Sequence, residues 1–319
     1  MIAIYILSVL ILAGILVPET DNDYWLIRGQ DYFKTFYAFF AVLFSVLIFV
    51  FSDLSIPDYG LMSLLICGAI YSFIVFMPFT IFWPKSVSKS KRQAEDERNL
   101  KIFIFNVYQY NERYADAINA IIKHKPDLVL LLETCSKWEK AMSVLENTYQ
   151  YQVKAIREDT YGLLMMSKLP FEESQINYFV SKNIPSAEVL LNIHGNPLRV
   201  FGLHPKPPVP GEAEYATNKD KELIRTARKI VKNFADQNCL LVGDLNDVAW
   251  SKSSRIFKKL TNMKDPRVGR GFFSTFPASS PFKIPIDQVF CSPNLKLVEM
   301  NLLENIGSDH LPLVVTFEI

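Results

Sequence analysis

The first 84 residues contain three runs without a single charged side chain: 2–17 (IAIYILSVLILAGILV), 36–51 (FYAFFAVLFSVLIFVF) and 61–83 (LMSLLICGAIYSFIVFMPFTIFW). A helix that crosses a bilayer needs about 20 predominantly apolar residues, within a range of about 17–25. The 61–83 run meets this alone. The other two reach it with their flanks, Met1 for the first and Tyr32, Phe33 and Leu54 for the second. Buried helices of a soluble domain seldom run this far without a polar face. A secretory signal would carry a basic start and a small-x-small cleavage site, and 2–17 shows neither. Tyr24, Trp25 and Trp83 flank the runs as interfacial aromatic anchors do. Residues 1–84 are therefore expected to be a membrane anchor of three transmembrane helices, with the lipid bilayer as its partner.

Residues 85–99 (KSVSKSKRQAEDERN) change character abruptly and read as a polar linker leaving the membrane. Only Arg28 and Lys34 are basic in 1–84, against six acidic residues; the chain totals of 34 and 33 then leave 32 basic and 27 acidic residues in 85–319. That net of +5 is too small for a protein that holds nucleic acid mainly by charge. With three crossings, loop 18–35 and the C-terminal region share one side. That side carries Arg28, Lys34, Lys85, Lys89, Lys91 and Arg92, whereas 52–60 carries no Lys or Arg. The positive-inside rule places such a side in the cytoplasm. Cys67, Cys135, Cys239 and Cys291 form no C-x-x-C pair, so a Cys/His zinc site is not expected and buried free thiols are.

From residue 100 onward, short apolar runs alternate with amphipathic helical patterns, an α/β (α+β) arrangement. Strands are expected at Leu100–Asn106, Asp127–Glu133, Gly162–Ser167, Ala187–Ile193, Leu198–His204, Cys239–Asp244, Ile286–Cys291 and Leu313–Glu318. Helices are expected at Asn111–Lys123, Ser136–Asn147, Tyr215–Asp236 and Ser253–Leu260. His194-Gly195-Asn196-Pro197 reads as a hairpin turn, and a hairpin mixed with strand–helix–strand units implies mixed sheets. Polar residues cluster at strand ends, where a rigid scaffold hands side chains to a cleft: Asn106, Glu133, His204 and Asp244.

Hydrolysis of a phosphate ester needs a hard cation, an oriented water, donors to the phosphoryl oxygens and a base. The blocks that supply such groups are F-N106, L-L-E133-T, Y-G162, G-L-H204-P, G-D244-L-N246-D, P-I-D287-Q and G-S-D309-H310. In that order, from about residue 100 to the C-terminus, they closely resemble the endonuclease/exonuclease/phosphatase family. G-D-x-N alone is weak; followed by I-D and a near-terminal S-D-H it is specific. His204-Pro205-Lys206-Pro207-Pro208 and Thr275-Phe276-Pro277 with Ile284-Pro285-Ile286-Asp287 are similar to bacterial membrane-anchored members. The resemblance implies a four-layer α-β-β-α sandwich of two mixed sheets over 100–319, Mg²⁺ as cofactor with Mn²⁺ as a substitute, and a bacterial cell membrane as location. In those relatives the catalytic domain is drawn outside the cell, against the charge argument.

The resemblance also implies roles. Glu133 is the principal metal ligand with Asn106 beside it, and Asp309 is a further acidic group at the metal. His310 contacts the scissile phosphate or takes a proton, with Asp287 as its carboxylate partner. Asp244 orients or deprotonates water, and Asn246 and His204 donate to phosphate oxygens. Taken singly, each could be a turn former, helix cap or structural side chain; jointly and in family order that reading loses. His124, His194, Glu112 and Asp247 are expected to be solvated. Gln288 stands where members often carry His, Leu132 where they carry Gln, and Phe276 where they carry Trp, which bears on substrate more than on activity. A phosphodiester substrate is implied, nucleic acid first and a phospholipid head group or other phosphoester as alternatives. A reading of another class is a catalytically inactive anchored binding module, against which the intact set of acidic and imidazole groups stands.

Overall fold

The computed structural model describes residues 1–207 and 215–319, with only the backbone of Asn218; Pro208, the last residue of the H-P-x-P-P block, lies outside them. The N-terminal third forms helices α1 (Ile2–Leu16), α2 (Trp25–Arg28), α3 (Lys34–Phe51) and α4 (Ile56–Phe76). Three spans, Ile2–Glu19, Trp25–Phe51 and Ile56–Phe79, are long and apolar enough to cross a membrane. The third is shifted from the expected 61–83. Ser55 and Asp58 form a capping box with Pro57 in the first turn, so the helix starts inside a segment that reads as polar, and α4 ends before Pro78. Cys67 on α4 is exposed, unlike the other three thiols, which are buried.

The remaining elements are β1 (Asn99–Asn106), α5 (Tyr114–His124), β2 (Leu128–Leu132), α6 (Ser136–Met142), β3 (Tyr151–Ala155), β4 (Leu163–Ser167), β5 (Phe171–Asn177), β6 (Ser186–Ile193), β7 (Asn196–Leu203), α7 (Thr217–Asn233), β8 (Asn238–Asp244), α8 (Lys252–Thr261), β9 (Asp287–Cys291), β10 (Lys296–Leu302) and β11 (Leu313–Glu318). They form a six-stranded sheet, β10-β11-β1-β2-β4-β3, and a five-stranded sheet, β5-β6-β7-β8-β9. Both are mixed: β1/β2 and β7/β8 are parallel and every other pair is antiparallel.

Three apolar layers hold the four-layer sandwich together. Ile102, Leu130 and Met165 of one sheet meet Val189, Val200 and Leu240 of the other. Phe103, Val129 and Leu131 pack on Ala117, Ile121 and Trp138 of α5 and α6. Phe201, Leu241 and Phe290 pack on Leu223, Ala227 and Phe257 of α7 and α8. Strands with both faces covered read as continuous apolar runs, which is why they were visible in the sequence. The β6–β7 hairpin closes on two residues, His194 (φ 50°) and Gly195 (φ 88°), a left-handed pair suited to a tight turn; Asn196 and Pro197 already belong to β7.

The segment joining α1 to α3 lies on the sandwich. Glu19 pairs with Arg255 at 2.6 Å, Asp21 with Lys252 at 2.6 Å, and Arg28 with Asp220 at 3.2 Å. Trp250 Nε1 donates to Asp31 O at 2.9 Å, and Ala216 N to Asp23 O at 2.7 Å. Phe79 packs with Val248, Trp250 and Ile286 in a small core shared with Tyr32 and Phe76. The polar stretch before β1 is also laid down: Val87 joins the inter-sheet core, and Ser90 N and Leu297 N exchange bonds with Leu297 O and Ser88 O along β10.

Candidate active site

Strand direction alone brings the polar ends together. β1 and β2 run parallel with Asn106 opposite Leu132, so Glu133 follows at the same edge. β7 and β8 run parallel with Leu203 opposite Gly243, so His204 and Asp244 emerge side by side. β9 is antiparallel to β8 and starts at that edge, with Asp287 opposite Asp244. β11 is antiparallel to β1, which brings the loop holding Asp309 and His310 back to the same edge. All eight expected residues meet there. Glu133, His204, Asp244, Asn246, Asp309 and His310 line a pocket of about 330 Å³, with Asn106 and Asp287 behind them.

Close backbone approach shapes this edge. A Cβ on Gly243 would lie 2.1 Å from Leu203 O, and one on Gly162 would lie 1.7 Å from Thr134 O, next to Glu133. Glu133 (φ 60°) and Asn246 (φ 49°) take left-handed backbone. Asn accepts that conformation readily; for Glu it costs on the order of 1–3 kcal/mol, strain of the kind that clusters at functional sites.

Asn106 is the hinge of the acidic group. Its Nδ2 donates to Glu133 Oε1 at 2.9 Å and to Asp244 Oδ2 at 3.0 Å, and its Oδ1 accepts from Tyr108 N at 3.0 Å. Ser308 Oγ donates to Asn106 O at 2.7 Å and accepts from His310 N at 3.0 Å, tying the loop to β1. Asp244 Oδ1 accepts from Asn246 N at 2.8 Å, and Asn246 Nδ2 donates to Pro205 O at 3.0 Å. His310 Nδ1 lies 2.7 Å from Asp287 Oδ2, and its Nε2 lies 3.6 Å from Asp244 Oδ2. His204 Nε2 lies 3.6 Å from Asp244 Oδ2 and 4.0 Å from Glu133 Oε1, beyond direct hydrogen bonding. Its Nδ1 is buried without a partner among the described residues.

Burial dominates the electrostatics. It raises the Glu133 carboxyl above its usual range, against the pull of His204 and Asn106. It raises Asp244 likewise, against His310. Burial also works to lower the His310 pKa, but the Asp287 and Asp244 carboxylates outweigh it and the imidazolium is favoured. Asp287 moves the other way: burial would raise it, and the His310 charge and hydrogen bond bring it below the ordinary value.

Carboxylates crowded into a desolvated cleft call for a compensating positive charge, and oxygen donors suit a hard divalent cation. Asp244, Asp287 and His310 bring one ligand atom each within 4.8 Å of one another. Asp287 Oδ2 is already committed to His310, so this trio reads as an Asp–His pair facing Asp244, and Glu133 and Asp309 are the less buried carboxylates of the pocket. With its amide turned as it is, Asn106 holds two carboxylates; ligation through Oδ1 requires that amide to turn over and release Tyr108 N.

Several residues here carried no assigned role at the site in the sequence, although Tyr161, Phe276, Ile284 and Ile286 lie within its motif blocks. Tyr32, from the first inter-helix segment, reaches the pocket and donates its hydroxyl to Asn246 O at 2.9 Å. Tyr108, Thr160, Tyr161, Ile284 and Ile286 line the walls, and Phe276 packs on His310 with ring centroids 4.9 Å apart. Asp247 is corrected: it is buried, paired with Lys219 Nζ at 2.6 Å and accepting from Ser253 Oγ at 2.6 Å. Gln288 is buried beneath it, donating to Asp247 O at 2.6 Å and accepting from Ser254 Oγ and Arg267 Nη2 at 3.2 and 3.3 Å.

A sequence model of the endonuclease/exonuclease/phosphatase family matches residues 104–310. No curated protein sequence matches the chain. Among solved structures, TDP2 from D. rerio complexed with single strand DNA product superposes with a TM-score of 0.58 at 18% identity, covering 69% of this chain and 99% of that one. The human Nocturnin catalytic domain with bound sulfate gives 0.58 at 14% identity, covering 69% and 94%. SmcL gives 0.55 at 19% identity, covering 69% and 98%. At these identities the likeness establishes the fold.

Proposed function

The chain belongs to the endonuclease/exonuclease/phosphatase family, and on that premise we propose that it is a membrane-held, divalent-metal-dependent hydrolase of phosphoric esters that cleaves a phosphodiester. The supporting observation is the meeting of Glu133, Asp244 and Asp309 with His204 and His310 around one pocket at a single sheet edge. Glu133 and Asp309, with Asn106 after its amide turns, would hold the cation, Mg²⁺ with Mn²⁺ as substitute. Bound there, it would draw charge from the phosphoryl oxygens and the leaving group.

The chain's own groups do the rest. Asp287 accepts from His310 Nδ1–H, which leaves Nε2–H directed to the pocket. That proton can be donated to a phosphoryl oxygen or to the departing alkoxide. Asp244, its carboxyl raised by burial and its Oδ1 held by Asn246 N–H, orients the attacking water and takes its proton. His204 and the remaining Asn246 amide proton donate to non-bridging oxygens. The water oxygen forms a new bond to phosphorus, one ester P–O bond breaks, and the alcohol leaves protonated, giving a phosphomonoester.

Nucleic acid as substrate has one point of support at the pocket mouth. Tyr108 and Tyr110 are exposed, with ring centroids 5.6 Å apart, and offer faces on which a base could stack. Lys85, Lys89, Lys91 and Arg92 beside the third span favour a cytoplasmic catalytic region; Arg28 and Lys34 add less, since both are engaged in ion pairs. A phosphatase or fluorescent protein fused after Ile319 reads the side directly. The function is tested by assaying the full chain on single-stranded DNA, RNA, inositol phosphates and bis-(p-nitrophenyl) phosphate with Mg²⁺ or Mn²⁺. Diester cleavage abolished by His310→Ala is expected. Cleavage of phosphomonoesters alone would overturn the diester assignment.

A further inference from the structure

A second cavity, of about 710 Å³, opens beside the catalytic pocket and is lined by Tyr32, Phe33, Phe36, Tyr37, Phe40, Phe276, Pro277, Ser280, Phe282 and Ile284. Tyr32, Phe276 and Ile284 line both cavities, so the two adjoin. One wall is Phe33, just before α3, and the first two turns of α3, where positions 36, 37 and 40 share a helical face. The other is the 276–284 loop of the sandwich, and Phe36 meets Phe282 across the groove with ring centroids 5.5 Å apart. The groove thus starts on a helix apolar enough to cross a membrane and ends at the ring that packs on His310.

Its chemistry excludes a polyanion as occupant. None of the ten lining residues is charged. The Tyr32 hydroxyl is given to Asn246 O, the Tyr37 hydroxyl to Gln30 Oε1, and the Ser280 hydroxyl to Phe282 O. The hydroxyl protons of these three are thus already given, so acceptors on a base or sugar find no free donor among them, and a phosphate backbone finds no cation. Exposed phenylalanines on α3 are ordinary for a helix facing lipid, but Phe282 belongs to the catalytic region and is 68% exposed. A large aromatic left open there, directly opposite a membrane helix, fits contact with hydrocarbon.

We propose that this groove is an acyl-chain site and that the substrate is a phosphate ester of a membrane lipid, with chains along α3 and the ester phosphate at Glu133, Asp244 and His310. The proposal rests on the phosphoesterase reading for its chemistry and on the groove alone for its binding site. The hydrolysis balances as above: water adds across one lipid P–O bond, and the alcohol departs with a proton. The groove's size suits it, since ligand cavities run to about 300–1,000 Å³.

The test uses the full chain in vesicles of phosphatidylethanolamine and phosphatidylglycerol, with phosphatidylglycerol carrying a diazirine on its acyl chain as the probe. Photolabelling is mapped for wild type, Phe282→Arg and Phe36→Ala, and hydrolysis of phosphatidylglycerol, single-stranded DNA and bis-(p-nitrophenyl) phosphate is followed in parallel. Label is expected on residues 277–282, outside the membrane helices. Both that label and lipid turnover should fall by about tenfold or more in Phe282→Arg, the scale of losing one large apolar contact. Turnover of bis-(p-nitrophenyl) phosphate should stay unchanged. Label confined to lipid-facing positions of the three spans overturns the groove, as does label or lipid turnover indifferent to both variants. Cleavage of DNA without cleavage of the lipid overturns the substrate class. If even bis-(p-nitrophenyl) phosphate is untouched, the phosphoesterase reading fails, and the label map alone decides whether acyl chains enter the groove.

Discussion

Glu222, in the second turn of α7, is 2% exposed and, among the described residues, accepts a single side-chain hydrogen bond, from Ser186 Oγ at 2.6 Å. Burial pushes its carboxyl up from the ordinary 4.5 to about 7, and the serine offsets only part of this. That rise corresponds to about 3 kcal/mol. The folded chain holds the proton more tightly than the unfolded chain. The stability this provides is therefore fully present below about pH 4.5, declines as pH rises, and is gone above about pH 7. Glu222→Gln keeps the shape and removes the titration. At about pH 5 the variant and the wild type should be of similar stability, whereas at about pH 8 the variant should be more stable by up to about 3 kcal/mol. The assay is denaturant unfolding of both full-length proteins in the same detergent across that range, followed by tryptophan fluorescence. A difference that stays constant with pH, or that grows toward acid, refutes the reasoning.

Three further perturbations follow from the site and its supports. Asp287→Asn removes the carboxylate that fixes the His310 tautomer, so kcat should fall by about 10²–10⁴-fold with little change in KM, measured by steady-state kinetics. Arg267 is fully buried and bidentate to Asp265, with its Nη1 donating to Asp287 O at 3.2 Å; Arg267→Met should cost about 3–5 kcal/mol by leaving a carboxylate unpaired, and adding Asp265→Leu should restore much of it in thermal melts. Gly162→Ala sets a methyl against Thr134 O, where it would lie at 1.7 Å, so the loop carrying Glu133 must move, and activity should fall along with the melting temperature.

Most of this site was legible because it is built from strand ends. Short motifs at the ends of doubly buried strands announce themselves, and the strand order does the gathering. The strands that left no apolar signal, β3, β5 and β10, are all edge strands, and five of the seven β5 residues are charged or polar. Asp247 looked like a solvated turn residue because its partner, Lys219, lies on a distant helix. Tyr32 was invisible for the same reason. It belongs to the segment that joins two helices long and apolar enough to cross a membrane, and the docking of Glu19, Asp21 and Arg28 on the sandwich carries it to the pocket. Three helices apolar enough to cross a membrane were thus readable, while the contribution of the segment between them to the walls of the site was not.

The central claim is that the pocket of Glu133, Asp244 and Asp309 is a metal-dependent phosphoesterase centre. The most direct measurement is the initial rate of bis-(p-nitrophenyl) phosphate hydrolysis by the full chain as Mg²⁺ is titrated, for wild type and Glu133→Gln. The rate should rise to saturation with Mg²⁺, vanish in chelator, and drop by about a hundredfold or more in the variant. A rate that persists in chelator, or a Glu133→Gln protein as active as the wild type, would contradict it.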